Sequence, residues 1–197
     1  MGKMNFSNEQ IKQIIDTIVI VVDSREQKNQ HITSLFDKYG INWERRKLNS
    51  GDYSAYVPIN EELGIFEEIN LENELCVERK KDCDEIIQNL TKHRERFYRE
   101  FERSEAKIPI LIEDSFKNAV KGYYRSNIPP KTFLGALFSF VDDNDTFFYF
   151  IADNNLSALW IYNILKYRIR SKLKNLSLSS TKENNAPKKV LGGILDL

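Results

Sequence analysis

The run Ile18-Val19-Ile20-Val21-Val22, which ends in Asp23, constrains the fold of this chain more than any other segment. All five apolar residues are β-branched, and such residues favour strands. Alternate side chains of a strand point to opposite faces of its sheet, so a continuous apolar run predicts burial on both faces. The segment therefore indicates a central strand of an α/β domain.

Strands and helices alternate through the rest of the chain. We predict strands over 43–48, 53–57, 74–79, 109–113 and 146–151, and helices over 32–39, 84–103, 129–141 and 156–173. A short helix capped by Ser7 precedes them. The alternation predicts a single α/β domain with a mixed central β-sheet flanked by helices.

Length and composition fit this reading. A chain of 197 residues with 41% hydrophobic residues can bury a substantial core. We assign 1–16 to the N-terminal helix, 17–175 to the main domain and 176–197 to a flexible C-terminal tail, which begins with a polar stretch. The two cysteines form neither a disulfide framework nor a zinc pattern, and no apolar run approaches a membrane span. We therefore expect a soluble cytoplasmic protein.

Charge is unevenly distributed although the formal net charge is zero. Residues 58–75 carry six acidic and no basic side chains, whereas residues 163–175 carry five basic and no acidic ones. We interpret the acidic stretch as an insertion, either a long hairpin connection or a mobile segment. The basic stretch is either a solvated helix end, where cations favour the helix dipole, or a surface for a polyanion or a protein partner.

The segment Glu78-Arg79-Lys80 combines acid and base at the end of the predicted 74–79 strand. Glu78 and Lys80 are separated by one residue, so their side chains point to the same face. Burying a carboxylate and an ammonium costs free energy, so their presence at a strand end favours a functional role. The pair can hold a divalent cation and orient a water against a phosphate.

Further acids can complete such a site. Asp52, in Gly51-Asp52-Tyr53, offers a second carboxylate, and Asp23 or Glu26 offers a third. Mg²⁺ keeps several waters and needs only two or three carboxylates. Each block also has a simpler interpretation, since Gly-Asp-Tyr is typical of a turn, a charge run is usually solvated, and Asp84 can cap a helix.

Three blocks in fixed order resemble the XPF family of structure-selective DNA endonucleases, which belongs to the PD-(D/E)xK nuclease superfamily. They are Val22-Asp23-Ser24-Arg25-Glu26, Gly51-Asp52-Tyr53 and Glu78-Arg79-Lys80-x-x-x-Asp84. The resemblance covers about residues 18–173 and implies a restriction-endonuclease-like fold. It also implies cleavage of branched or single-strand/duplex junction DNA with Mg²⁺ or Mn²⁺, in DNA repair or recombination. The Gly-hairpin pattern of the tandem helix-hairpin-helix modules common in this family does not occur in the chain.

By this resemblance, Asp52 and Glu78 are the expected metal ligands, with Asp23 as a further ligand, and Lys80 is the expected catalytic lysine. Other residues are expected to line the same site: Glu26, Arg79 and Asp84. We expect contacts to DNA from a second set of residues: Arg25, Arg46, Lys81, Tyr124 and Arg125.

Other expectations concern partners and rival functions. The resemblance allows a homodimer, and the apolar segment 190–197 can bind a protein partner or cover the domain itself. In a bacterial or phage setting, the protein would be nucleoid-associated. Two alternatives stay open: a non-cleaving DNA-binding or partner subunit of the same fold, and a resolvase-like or restriction-like nuclease of the same superfamily.

Overall fold

The computed structural model describes the backbone of residues 6–184 and the side chains of residues 6–177. The strands are β1 (Val19–Asp23), β2 (Asn42–Arg46), β3 (Tyr53–Val57), β4 (Ile69–Asn70), β5 (Glu78–Lys80), β6 (Ile110–Ile112) and β7 (Phe148–Phe150). The α-helices are α1 (Asn8–Ile15), α2 (Gln30–Lys38), α3 (Cys83–Leu90), α4 (Arg94–Glu102), α5 (Phe116–Lys121), α6 (Pro130–Asp143) and α7 (Ser157–Asn184).

The strands form two sheets that meet at one point. The first has the order β2-β1-β3-β4, with β1 parallel to β2 and antiparallel to β3. The second has the order β5-β6-β7 and is parallel throughout. Tyr53 and Val77 join them through an antiparallel bridge, in which the Val77 N–H donates to the Tyr53 carbonyl at 2.7 Å. The expected mixed α/β architecture is confirmed, with the sheet divided at this bridge.

Each sheet has its own apolar core. Helices α1, α2 and α7 cover the first sheet, and β1 is buried on both faces, with Ile20, Val21 and Val22 all at most 1% exposed. Helices α3, α4 and α6 cover the second sheet around Phe97 and Phe140, whose rings stack at 4.6 Å. The single helix expected over 84–103 is therefore two helices that share one core.

The break between α3 and α4 has a local cause. Thr91 leaves the helical backbone conformation, with φ −121° and ψ −81°, which ends α3, and its hydroxyl donates to the Ile87 carbonyl at 2.7 Å. The apolar spacing continues across the break because both helices face the same core. Asp82, and not Asp84, caps α3 by accepting the Glu85 N–H at 2.8 Å. Helix α5 was not predicted, and the Ser115 side chain caps it.

The acidic stretch 58–75 is folded and forms the predicted hairpin connection. Within it, β4 pairs with β3, and Ile65 and Leu71 are fully buried. Glu74 accepts hydrogen bonds from Arg168 and Lys172 of α7. The acidic and basic segments therefore partly neutralise each other, because opposite charges within hydrogen-bond distance attract.

Helix α7 extends beyond the predicted end at residue 173. The Phe6 N–H donates to Ser177 Oγ at 3.0 Å, and Leu176 packs against the first core. The helix therefore includes 176–184, which we expected in the tail, while 190–197 lies outside the described residues. Within the described part of the chain, no helix combines the length and apolarity needed to cross a membrane.

Candidate active site

The turn before β3 places Asp52 between the two sheets. Gly51 has φ +67°, and a Cβ there would lie 2.8 Å from the Cys76 Cβ, so the turn requires glycine. The Asp52 N–H donates to the Val77 carbonyl, and the Asp52 carbonyl accepts the Asp23 N–H, both at 2.8 Å. Asp52 is thus fixed to both β1 and the entry of β5.

The carboxylates of Asp52 and Glu78 lie in one cleft. Asp52 Oδ2 accepts the Arg79 N–H at 2.7 Å. Burial raises the pKa of Asp52 well above its usual range, and the negative charge of Glu78 raises it further. A carboxylate whose ionisation is opposed by a second carboxylate in the same cleft is suited to share a cation with it.

Lys80 is buried beside this pair. Its Nζ lies 2.5 Å from Glu78 Oε1 and 5.0 Å from the centroid of the Phe97 ring. Burial lowers the pKa of Lys80, but the charge of Glu78, its hydrogen bond and the charges of Asp52 and Glu85 together outweigh burial and raise that pKa above its ordinary value. Lys80 is therefore a charged ammonium held at the carboxylates.

Arg79 points away from Glu78 and Lys80, as alternation along β5 requires. Its Nε and Nη2 donate to Glu113 Oε2 at 2.9 and 2.5 Å, and its Nη1 donates to Glu26 Oε1 at 3.1 Å. The second oxygen of Glu113 lies 2.8 Å from His31 Nε2. Sequence reasoning did not select Glu113 or His31; the available signal was an acid directly after a buried strand.

Asp23 is bonded to its own neighbours. Its carboxylate accepts four hydrogen bonds, three from Arg25 and one from the Leu48 N–H. Burial would raise the pKa of Asp23, but these bonds outweigh it and lower the pKa. Since a carboxylate has about four acceptor sites, Asp23 is not an open ligand like Asp52. Among residues 6–177, no group of three or more His, Cys, Asp and Glu side chains is arranged as a metal site.

Two clefts meet at Arg25 and Glu26. The first, of about 310 Å³, we call the Asp52 cleft; besides that residue its lining includes Asp23, Glu78, Arg96, Glu100 and Arg103. The second, of about 430 Å³, we call the Arg125 cleft; besides that residue its lining includes Lys28, Arg79, Lys81, Asp82, Asp84 and Glu85. A chain of phosphates could contact both clefts at their junction.

Asp84 lies in the Arg125 cleft and not beside Asp52, where we expected it. Its carboxylate accepts the N–H and Nε–H of Arg125, both at 3.1 Å, and the Ser126 N–H at 2.8 Å. Burial would raise the pKa of Asp84, but these hydrogen bonds outweigh it and lower the pKa. Asp84 therefore holds the 123–128 loop, and the Arg125 side chain stays 78% exposed.

Three expected DNA-contact residues, Arg25, Lys81 and Arg125, line a cleft. The other two are held elsewhere. Arg46 stacks over the Tyr56 ring at 4.7 Å and pairs with Glu68 at 3.5 Å, on the first sheet. Tyr124 packs its ring against Phe133, and its hydroxyl donates to the Ile128 carbonyl. Local packing thus occupies both the ring and the hydroxyl of Tyr124, which we expected to contact DNA.

Comparisons with known proteins agree with this fold. The family model described as "ERCC4 domain" matches residues 22–164. The structure is similar to XPF from Aeropyrum pernix, with a TM-score of 0.57 and 20% identity over 84% of this chain and 73% of that one. It is also similar to XPF from Aeropyrum pernix in complex with DNA, with a TM-score of 0.53 and 20% identity over 87% of this chain and 68% of that one. No curated protein matches the sequence.

The family match contains every motif block named from the sequence, because Asp23, Asp52, Glu78 and Asp84 all lie within residues 22–164. The solved structures share the fold at low identity, so they support the architecture and the family match supports the kind of domain. The chain therefore belongs to the ERCC4 domain family and contains its nuclease-type domain, with the fold of the XPF nucleases.

Proposed function

We propose that this chain is a divalent-metal-dependent DNA endonuclease that hydrolyses phosphodiester bonds at branched or single-strand/duplex junction DNA. One observation carries the proposal: the Asp52 and Glu78 carboxylates line one cleft, with the Lys80 ammonium 2.5 Å from Glu78. This combination offers ligands for a cation and a fixed positive charge for the phosphate.

The residues present fit a cation such as Mg²⁺ or Mn²⁺. Asp52 Oδ1 and Glu78 Oε2 accept no hydrogen bond from residues 6–177, so each carboxylate keeps one open oxygen. When bound, the ion would polarise the phosphate and lower the pKa of a water. We assign both carboxylates as its ligands.

Residues of this chain would do the remaining work. Lys80 would stabilise charge that develops on the phosphate, since a buried preorganised cation acts strongly on a transition state. Arg79 holds the Asp52 carboxylate through its N–H. Asp23 orients Arg25, whose side chain is 64% exposed and lines both clefts.

DNA as the substrate has two supports. One of the similar XPF structures is a complex with DNA. In addition, exposed cations line the clefts, with Arg25 at their junction and Lys81 and Arg125 in the Arg125 cleft. Cations in this arrangement would contact consecutive phosphates. The branched substrate and a role in repair or recombination extend the same proposal.

Self-association is a further part of the proposal. An apolar patch lies on β7 and the first half of α7, formed by Tyr149, Leu156, Leu159, Trp160, Ile164 and Tyr167. Tyr149, Leu159 and Tyr167 are 47%, 48% and 60% exposed. Large contiguous apolar surfaces of this kind mark interaction sites. We assign the patch to a second copy of this chain, because a two-fold axis would cover both patches at once.

A substrate panel tests the activity. Purified protein is incubated with Mg²⁺ or Mn²⁺ and labelled flap, fork, four-way junction and linear duplex DNA, beside Asp52→Asn. We expect cleavage of flaps or forks that the variant loses. Selective cutting of four-way junctions or plain duplex would instead favour a resolvase-like or restriction-like nuclease. Tight fork binding without turnover in either metal would favour a non-cleaving subunit.

A further inference from the structure

We propose that Glu113 is a positioning residue that fixes the Asp52 carboxylate for its cation by anchoring the Arg79 side chain. The inference extends the proposed function and rests on it. Glu113 follows β6 and lies outside the motif blocks that the sequence pointed to.

The first step is the anchor itself. The Arg79 side chain is 8% exposed and that of Glu113 only 3%, so the pair is shielded from water. Two of the Arg79 nitrogens donate to the same Glu113 oxygen. The Glu113 N–H also donates to the Lys80 carbonyl at 2.8 Å. Glu113 is therefore bonded to β5 twice, through its backbone at Lys80 and through its side chain at Arg79.

The second step leads to the candidate ligand. The N–H of Arg79 donates to Asp52 Oδ2 at 2.7 Å. The Arg79 backbone therefore orients one carboxylate oxygen and leaves Oδ1 for another partner. Arg79 thus carries both contacts, its side chain to Glu113 and its N–H to Asp52, on a strand only three residues long, and loss of the side-chain anchor would loosen the N–H as well.

The third step concerns charge. Glu26 contacts only Nη1 of Arg79, at 3.1 Å, and burial raises the pKa of Glu26. Glu113 is the better counterion, because its bonds with Arg79 and His31 outweigh its own burial and lower its pKa. Without the Glu113 charge, a buried guanidinium would be left under-neutralised and would have to shift toward water. His31 Nε2, 2.8 Å from Glu113 Oε1, holds the carboxylate from the side of α2.

Binding of Mn²⁺ alone tests the proposal without catalysis. The electron paramagnetic resonance signal of free Mn²⁺ reports binding to wild type, Glu113→Gln and Glu113→Asp. Glu74→Gln is the control. Glu74 also accepts hydrogen bonds from two cationic side chains, but both belong to α7, and Glu74 does not line the Asp52 cleft. We expect Glu113→Gln to weaken Mn²⁺ binding by about 10-fold or more, the range seen for residues that orient metal ligands. Glu113→Asp should restore part of it, and Glu74→Gln should match wild type.

The outcomes separate the two proposals. If folded Glu113→Gln binds Mn²⁺ as wild type does, the positioning role is wrong and the metal site stands. If wild type and Asp52→Asn bind equally weakly, the metal site itself is wrong, and Glu113 has no ligand to position. Should Glu113→Gln fail to fold, Glu113→Asp takes its place, because the shorter side chain loosens the bonds to Arg79, and wild-type Mn²⁺ affinity in that folded variant would overturn the proposal.

Discussion

Lys80 Nζ lies 2.5 Å from Glu78 Oε1, and the two residues are separated by one position on β5. This contact sets the charge balance of the Asp52 cleft. Two carboxylates and one ammonium leave a formal charge of −1 when all three are ionised. A divalent cation makes the cluster +1, and one phosphate of a nucleic-acid backbone then neutralises it. With all three groups ionised, the net charge of the cluster is therefore zero only when a cation and a phosphate are both bound.

Replacing Lys80 should remove activity and cost stability. In Lys80→Met, we expect cleavage to fall by about 100-fold or more, since a preorganised charge at the phosphate is lost. The metal-free protein should lose up to about 3 kcal/mol, because Glu78 loses its buried counterion. Single-turnover cleavage and thermal unfolding measure the two effects.

Lys107→Met is a matched control for this change. Lys107 also lies near a carboxylate and a ring, 3.4 Å from Asp145 and 5.8 Å from the Phe147 centroid, but it is on the surface. Exposed pairs of this kind contribute little. Equal losses of activity in both variants would contradict the role of Lys80.

Asp52→Asn should stabilise the metal-free protein while it abolishes cleavage. The folded-state pKa of Asp52 is raised, mainly by burial, so at neutral pH its ionised form opposes folding. Asparagine keeps an acceptor for the Arg79 N–H and removes the charge. We expect a gain on the order of 1 kcal/mol, or a rise in Tm of about 2–4 °C.

Asp84→Asn provides a comparison of opposite sign. Hydrogen bonds from Arg125 and Ser126 outweigh burial and lower the pKa of Asp84, so its ionised form favours the folded state. This variant should unfold at a lower temperature than wild type at neutral pH. Equal shifts of Tm in the same direction would show that the Asp52 charge has no special cost.

The sequence predicted the position of Asp52 and Glu78 better than their surroundings. The resemblance of the blocks to one family predicted that the two carboxylates share a site, and in the structure the bridge between Tyr53 and Val77 brings the start of β3 to the start of β5. The bonding of Asp23 could not, because it depends on the turn that returns Arg25 to it and on the Leu48 N–H from another segment.

The same contrast holds for the fold. The buried run of β1 predicted a central strand from composition alone. The separation of α3 from α4 was missed, because Leu90 and Phe97 face one core and keep a common spacing across the break. Pairing of Glu74 with α7 joins positions 94 and 98 residues apart, and periodicity carries no information on such contacts.

Acidification should reduce cleavage at a pH set by the metal concentration. Cleavage needs ionised Asp52, whose pKa is raised by burial and by Glu78, so activity should fall as the pH drops through that raised pKa. A bound cation favours the ionised form, so more Mn²⁺ should move the fall to lower pH. Rates across pH at two Mn²⁺ concentrations measure this shift.

Glu26→Gln identifies the titrating group. Burial also raises the pKa of Glu26, so this residue is the main rival for the same acidic limb. If Asp52 controls the limb, the limb and its dependence on Mn²⁺ should persist in the variant, displaced only slightly to lower pH because the charge of Glu26 contributes to raising the pKa of Asp52. Loss of the limb in Glu26→Gln would assign the titration to Glu26 instead.

Arg125→Ala should weaken DNA binding in a salt-dependent way. The guanidinium is highly exposed beside Asp84 and would contact one phosphate at the junction of the clefts. Removing one phosphate contact reduces the slope of log Kobs against log salt by about 0.7–0.9. Fluorescence anisotropy with a labelled fork gives this slope. Arg168→Ala is the control, because Arg168 is bonded to Glu74, and we expect the wild-type slope in this variant. A reduced slope there would instead favour DNA contact by the basic segment 163–175.

Substitution in the apolar patch should convert a dimer to a monomer. Leu159 and Tyr167 lie eight residues apart on α7, which places both on one side of the helix. The Trp160 ring packs at a tilt against the ring of Tyr149 on β7, with the centroids 4.8 Å apart. In the double variant with Leu159→Glu and Tyr167→Glu, association with a second copy would bury the two new carboxylates of each chain against this surface. Burying charges without partners is costly. Light scattering after size exclusion should report a dimer for wild type and a monomer for the double variant. Ile59 is 61% exposed and lies outside the patch, so Ile59→Glu should stay dimeric. A monomeric wild type at micromolar concentration would refute the assignment.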